Sequence, residues 1–159
     1  MKISQRQLLN LIAFICLASV AFALFSQHVL GMLPCAWCVF QRLIFIVIAL
    51  VCLLVNLSSS LIYQKILALI AALLAIGGVV AAWYQTTVAS VSFSCDMTFA
   101  DIFMSRQTSL DAALPWLFGI YATCMDAAVK LFGVEYSVWA LILFAALAIV
   151  LLVSLFRKS

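Results

Sequence analysis

Two thiols, Cys35 and Cys38, lie three residues apart in the segment GMLPCAWCVFQRLIF, residues 31–45. Such a pair can exchange disulfides, ligate a metal or brace a loop. Gln41 and Arg42 follow Cys38 by three and four residues, which puts them on the same face of a helix. Pro34 suits a first helical turn, where its missing N–H costs nothing, and predicts a helix start near Leu33 or Pro34. Both cysteines then occupy the opening turn. Free N–H groups and the positive end of the helix dipole favour thiolate over thiol there. Arg42 is a permanent cation one turn deeper, where it can support that thiolate or a reduced, anionic small molecule beside it.

The elements that position these residues follow from composition. Of 159 residues, 69% are hydrophobic and 8% charged, against roughly 45–50% and 25% in soluble domains. The chain reads as a membrane protein. Apolar runs at roughly 8–26, 39–57, 66–84 and 136–156 each approach the ~20 residues that cross a bilayer. Backbone groups in lipid must pair internally, so these runs predict helices. The expectation is an all-α bundle of four transmembrane helices in one integral domain, residues 1–159, with external segments at roughly 27–38 and 85–135. The first run also has the basic start and small-residue AFA (21–23) of a signal peptide. Its length favours a retained span, and cleavage would leave residues 31–45 emerging on the same side.

Lys and Arg favour the cytoplasmic side of short loops. With the N-terminus inside, Lys2, Arg6, Lys65, Arg157 and Lys158 all lie inside, and Asp96, Asp101, Asp111, Asp126 and Glu135 all fall in one external loop. Both termini are then cytoplasmic, and Cys35, Cys38, Cys95 and Cys124 face the outside, where disulfides persist. Cys16 and Cys52 fall within spans and read as small apolar packing residues. The long loop is rich in aromatic and aliphatic residues. Ser109 is expected to cap a short helix over LDAAL that Pro115 interrupts, and ATCMDAAVKLFG to form another ended by Gly133. These pieces are expected on the membrane surface, covering the bundle's outer mouth, with Cys95 and Cys124 on mobile chain.

A soluble oxidant would not require a dithiol at hydrocarbon depth. A lipid-soluble one, a quinone, would reach it laterally from the bilayer. The pair Cys95 and Cys124 lies instead in a loop that a water-soluble protein can approach, so the pattern suggests a path from thiol to quinone.

The run PCAWCVFQR (34–42), the later Cys95 and Cys124 and the four-span layout resemble the DsbB-type quinone-dependent thiol oxidases of the bacterial inner membrane. The resemblance extends over essentially the whole chain. It implies that a reduced periplasmic dithiol oxidase, a DsbA-like thioredoxin-fold protein, attacks a Cys95–Cys124 disulfide at Cys95. Cys124 then attacks a Cys35–Cys38 disulfide at Cys35, and Cys38 is left as thiolate beside ubiquinone or menaquinone. Arg42 supports that charge, and Gln41 joins Cys38 and Arg42 as a quinone-binding candidate. Many members carry a further basic residue near the outer end of the third span, where this chain reads AAWYQTTVAS. Trp83, Tyr84 and Gln85 are candidates to stack on or hydrogen-bond a quinone, although Trp and Tyr are common at any membrane boundary. His28 reads as an interfacial polar residue.

Three other readings compete. A zinc site from the four external cysteines is disfavoured, since 28 residues separate Cys95 from Cys124. A non-enzymatic four-span scaffold explains external disulfides but not a Cys-x-x-Cys at a helix entrance before Gln-Arg. A relative of the vitamin K epoxide reductases would carry its membrane-edge pair late in the chain. The sequence shows no phosphate-binding glycine loop and no nucleic-acid-binding pattern, so the expected partners are a thioredoxin-fold protein and membrane lipid, without a metal. Its net charge of +3 is accounted for by membrane orientation.

Overall fold

The computed structural model describes residues 4–89, 98–127, 130–131 and 133–156. Four helices in it are long and apolar enough to cross a membrane, as expected for a multi-pass protein: Gln5–His28, Ala36–Leu57, Leu61–Ala89 and Tyr136–Phe156. The first is α1. It opens with a capping box in which Ser4 Oγ accepts from Gln7 N and Gln7 Oε1 accepts from Ser4 N, satisfying two end donors reciprocally. The second is α2 (Ala36–Leu53), which tightens into a 3₁₀ turn at Leu54–Leu57. It begins after Pro34, with Cys35 in extended conformation at its N-cap, so Cys35 precedes the first turn rather than lying within it. The third, α3 (Leu61–Tyr84), runs on through a wider π-type turn, Gln85–Ala89.

Three short pieces follow in the long loop. They are α4 (Phe99–Asp101), continued by π-type turns to Gln107, α5 (Leu110–Ala113) and α6 (Pro115–Phe118). A two-residue hairpin pairs β1 (Lys130–Leu131) with β2 (Val134–Glu135), Lys130 opposite Glu135. It leads into the last span, α7 (Tyr136–Phe156).

Two local expectations are corrected. Ser109 lies at φ 50° and makes no side-chain cap; the left-handed backbone aims its hydroxyl back at Ser105 O, 3.4 Å away. The described residues of ATCMDAAVKLFG form no helix of the expected length: they hold one turn at residues 124–127 and then β1. Gly133, at φ +82°, turns the hairpin instead of ending a helix. Short apolar runs fit helical and extended periods equally well, and here pairing with Val134 and Glu135 decides. Pro115 does separate two short helices, and it does so by opening α6.

The helices run up and down, with polar clamps at the end away from the long loop. Arg6 Nε donates to Asn56 Oδ1 at 3.1 Å, Asn56 Nδ2 to Asn10 Oδ1 at 2.9 Å, and Gln5 Nε2 to Ser154 Oγ at 3.1 Å. Between the ends, small residues let backbones approach, the main route to helix association in lipid. Ala68, Ala71, Ala72, Ala75 and Ala82 of α3 are all buried. Gly78 lies so close to Phe144 of α7 that an added Cβ would meet its Cδ1 at 2.4 Å. Phe144 stacks on Phe45 of α2, centroids 4.0 Å apart and planes 7° apart. Cys16 and Cys52 are fully buried in this core.

The ring of helices is not closed. α3 packs along α7, α2 along α1 and α3, whereas α1 and α7 scarcely touch among the described residues. A slot remains between them.

Candidate active site

α2 brings the two thiols to the loop end of that slot. Cys35 is fully buried and Cys38 partly so, their Sγ atoms 3.1 Å apart. One turn deeper, Arg42 is only 6% exposed. Its Nη1 donates to Gln27 Oε1 at 2.6 Å and to Leu117 O at 3.1 Å, and its Nη2 to Ala23 O at 3.4 Å. No carboxylate faces it among the described residues; the ionisable groups beside it are Cys38, Tyr136 and Cys35. A buried cation without a counter-ion makes this pocket favourable for an anion.

Gln41 and Gln85 complete the polar end. Gln41 Nε2 donates to Gln85 Oε1 at 2.7 Å, which turns the Gln85 amide so that its Nε2 reaches Cys38 Sγ at 3.1 Å and Cys35 Sγ at 3.6 Å. Gln85 is the first residue of the π-type turn after α3. Such turns change which way a side chain leaves a helix and recur at functional sites. Of the three residues around Trp83, only Gln85 lines the slot. Tyr84 instead packs at a tilt of 40° against Trp37, centroids 5.0 Å apart, while Trp83 is exposed. His28 Nε2 lies 3.1 Å from Trp116 O, tying the loop to the end of α1.

The long loop carries a third thiol to the same place. Tyr121 N and Ala122 N both donate to Pro34 O, at 3.0 and 3.3 Å. Thr123 then caps the turn that holds Cys124, accepting from Asp126 N at 3.2 Å and donating to Asp126 Oδ2 at 2.7 Å. Cys124 packs with Cys35, Ala36 and Trp37. A hydrogen bond from Cys35 holds Cys124 below the usual thiol range, and the Trp37 N–H at the start of α2 adds to this against partial burial. Cys35 is pushed up, first because it donates to Cys124, then by Cys38 and by burial. The arrangement favours thiolate at Cys124 and thiol at Cys35. Cys95 lies outside the described residues.

The slot encloses about 480 Å³, within the range of small-molecule sites. Its loop end is lined by Cys38, Gln41, Arg42, Gln85, Tyr136 and Ser137, and its remainder by apolar side chains including Phe14, Ala18, Ala140 and Leu143. Phe14, Phe22 and Trp139 at its edges are 69%, 47% and 44% exposed, so in a bilayer the opening faces lipid. Sequence reasoning passed over Gln27, which anchors Arg42, and Tyr136, which looks like any tyrosine at a membrane boundary.

A four-span membrane bundle that gathers three thiols over a lateral, cation-headed slot belongs with the membrane thiol–disulfide proteins. Residues 5–154 match the family model described as "Disulfide bond formation protein DsbB". Relatives bearing the name Disulfide bond formation protein B include one from Herminiimonas arsenicoxydans, 34% identical with 98% of each chain covered. One from Ralstonia nicotianae is 31% identical over 100% of this chain and 99% of its own, and one from Verminephrobacter eiseniae 33% identical over 97% and 88%. The chain belongs to the DsbB family of disulfide bond formation proteins, which gives it a disulfide oxidoreductase role.

Proposed function

We propose that the chain is a thiol:quinone oxidoreductase of the bacterial inner membrane that reoxidises a periplasmic DsbA-like dithiol protein and passes the electrons to ubiquinone or menaquinone. The observation that carries this reading is the convergence of Cys35, Cys38 and Cys124 on the mouth of a lipid-facing slot whose only buried cation, among the described residues, lacks a carboxylate.

The catalytic residues are Cys35, Cys38, Cys95 and Cys124. The partner's thiolate attacks Cys95 Sγ of a Cys95–Cys124 disulfide, forming a mixed disulfide and releasing Cys124 as thiolate. The partner's second thiol resolves that bond, so its dithiol leaves oxidised and Cys95 is reduced. Cys124 attacks Cys35 Sγ, the Cys35–Cys38 bond breaks, and Cys38 departs as thiolate. Attack by Cys95 on Cys124 restores the loop disulfide and leaves Cys35 and Cys38 reduced. Each exchange is limited by thiolate fraction, leaving-group pKa and access. The Pro34 carbonyl that anchors Tyr121 and Ala122 supplies the access, because it fixes Cys124 over Cys35. Gln85 and Arg42 receive Cys38 as it becomes an anion.

The residues fit a quinone. An apolar slot suits a prenyl chain, Arg42 suits oxygens that gain negative charge, and Gln41 and Gln85 fix the polar end. A bound quinone accepts the two electrons and two protons released when Cys35 and Cys38 close their disulfide. With both termini cytoplasmic, as the basic residues indicate, the loop end is periplasmic.

The test is quinone reduction by purified protein given a reduced thioredoxin-fold donor. Wild type should turn over while Cys38→Ser and Cys95→Ser fall to background. Equal background rates for all three, across several donors and quinones, would remove the relay.

A further inference from the structure

Tyr136 is the first residue of α7 and belongs to the wall of two cavities at once: the slot, and a chamber of about 30 Å³ lined by Ser26, Pro34, Cys38, Arg42 and others. That chamber has room for about one water. The phenol sits beside Arg42 and Cys38, with the Ser26 side chain close by on the wall of the same chamber. Ser26 Oγ donates to Phe22 O at 2.9 Å.

The other polar groups of the slot are largely committed. Gln41 and Gln85 are spent on one another and on the thiols. Arg42 already holds Gln27, Ala23 and Leu117. Ser19 Oγ donates to Ile15 O at 2.8 Å, and Ser137 is paired with Thr86 at 3.2 Å. The Tyr136 hydroxyl is different, because it stands on the wall shared by the slot and the chamber and a small rotation aims its proton into the slot. Orientation follows from the other end. Leu143, seven residues along α7, lies roughly 10 Å deeper at ~1.5 Å per residue, and its neighbours Phe14, Ala18 and Ala140 offer nothing to an oxygen. A ring oxygen buried there would go unpaired, which is costly. Only the loop end accepts a polar ring.

We propose that Tyr136 Oη is a hydrogen-bond donor to a ring oxygen of the quinone, acting with Arg42 to seat the ring head-first against Cys38 while the prenyl tail leaves between α1 and α7. The proposal rests on the quinone reading above and adds a positioning residue, contributed by α7, to those on α2. It places a further donor at the loop end of the slot on the fourth span.

The experiment compares full-length wild type with Tyr136→Phe in detergent, using short-chain ubiquinone labelled with ¹³C at its carbonyls. Equilibrium binding gives Kd, and infrared difference spectra give the carbonyl stretching bands of the bound ring. Wild type should bind and show a carbonyl band displaced to lower frequency. In Tyr136→Phe that band should return toward its position in empty detergent, with Kd weakened about three- to tenfold, as for one hydrogen bond. A weaker Kd with unchanged carbonyl bands would mean that the phenol only packs, and would overturn the proposal. So would equal Kd and equal bands. If wild type itself retains no quinone, the functional reading fails instead, and this inference fails with it.

Discussion

Gly78 is where a single methyl group tests how the core is built. A Cβ added there would lie 2.4 Å from Phe144 Cδ1 and 2.5 Å from its Cε1, about 1 Å inside an ordinary carbon–carbon contact. The ring cannot step aside, since it is fully buried and stacked at 4.0 Å on Phe45. Gly78→Ala therefore pushes Phe144 onto Phe45, and overpacking of this kind costs about 1–3 kcal/mol. A better helix propensity returns at most about 1 kcal/mol, so the net effect is destabilising. Phe45 also lines the slot, so the displacement reaches the ligand as weaker binding. The assay is thermal unfolding in detergent for wild type, Gly78→Ala, Phe144→Leu and the double variant. Phe144→Leu alone opens a void and destabilises as well. Because the smaller side chain vacates the space the new methyl needs, the double variant should be more stable than the sum of the singles predicts, by at least ~0.5 kcal/mol. Additive losses would refute the packing argument.

Arg42→Met should weaken quinone binding by about 10- to 150-fold, the worth of one charge-assisted hydrogen bond, read as Kd or KM at fixed detergent. Gln85→Leu removes the amide donor 3.1 Å from Cys38 Sγ and should slow quinone reduction by about tenfold, with a smaller loss for Gln41→Leu, which touches the thiols only through Gln85; stopped-flow reduction separates the two. Cys124 is held below the usual thiol range by Cys35. In reduced Cys95→Ser protein its alkylation rate should therefore plateau at lower pH than that of a free thiol, and Cys35→Ala should move the plateau to higher pH, as mass-spectrometric labelling across a pH series would show.

The four long helices were legible because their length in apolar residues is itself the requirement for crossing a bilayer. The N-cap of α2 was nearly so, since Pro34 marks the place where a helix can start. The wider turn at Gln85 was not. A sequence of ordinary helix formers gives no sign that the ladder will expand there, so the neighbourhood of Gln85 and Cys38 appears only in three dimensions. Tyr136 was hidden by being ordinary: aromatic residues gather at membrane boundaries whether or not they face a cavity. Gly133 was noticed as a terminator, but whether it stops a helix or turns a hairpin depends on the partner strand. The docking of Tyr121 and Ala122 on the Pro34 carbonyl joins residues almost ninety positions apart, and backbone donors leave no mark in residue type.

The gap between α1 and α7 has a consequence for kinetics. A ligand that enters through that gap approaches by diffusion in a plane, from lipid, and the concentration that governs occupancy is its mole fraction in the bilayer. Adding lipid at constant ligand per volume should then lower the rate, whereas diluting vesicles in buffer should leave it unchanged. A water-soluble thiol donor of the kind proposed would answer to volume, so the two half-reactions should respond in opposite ways to the same two dilutions.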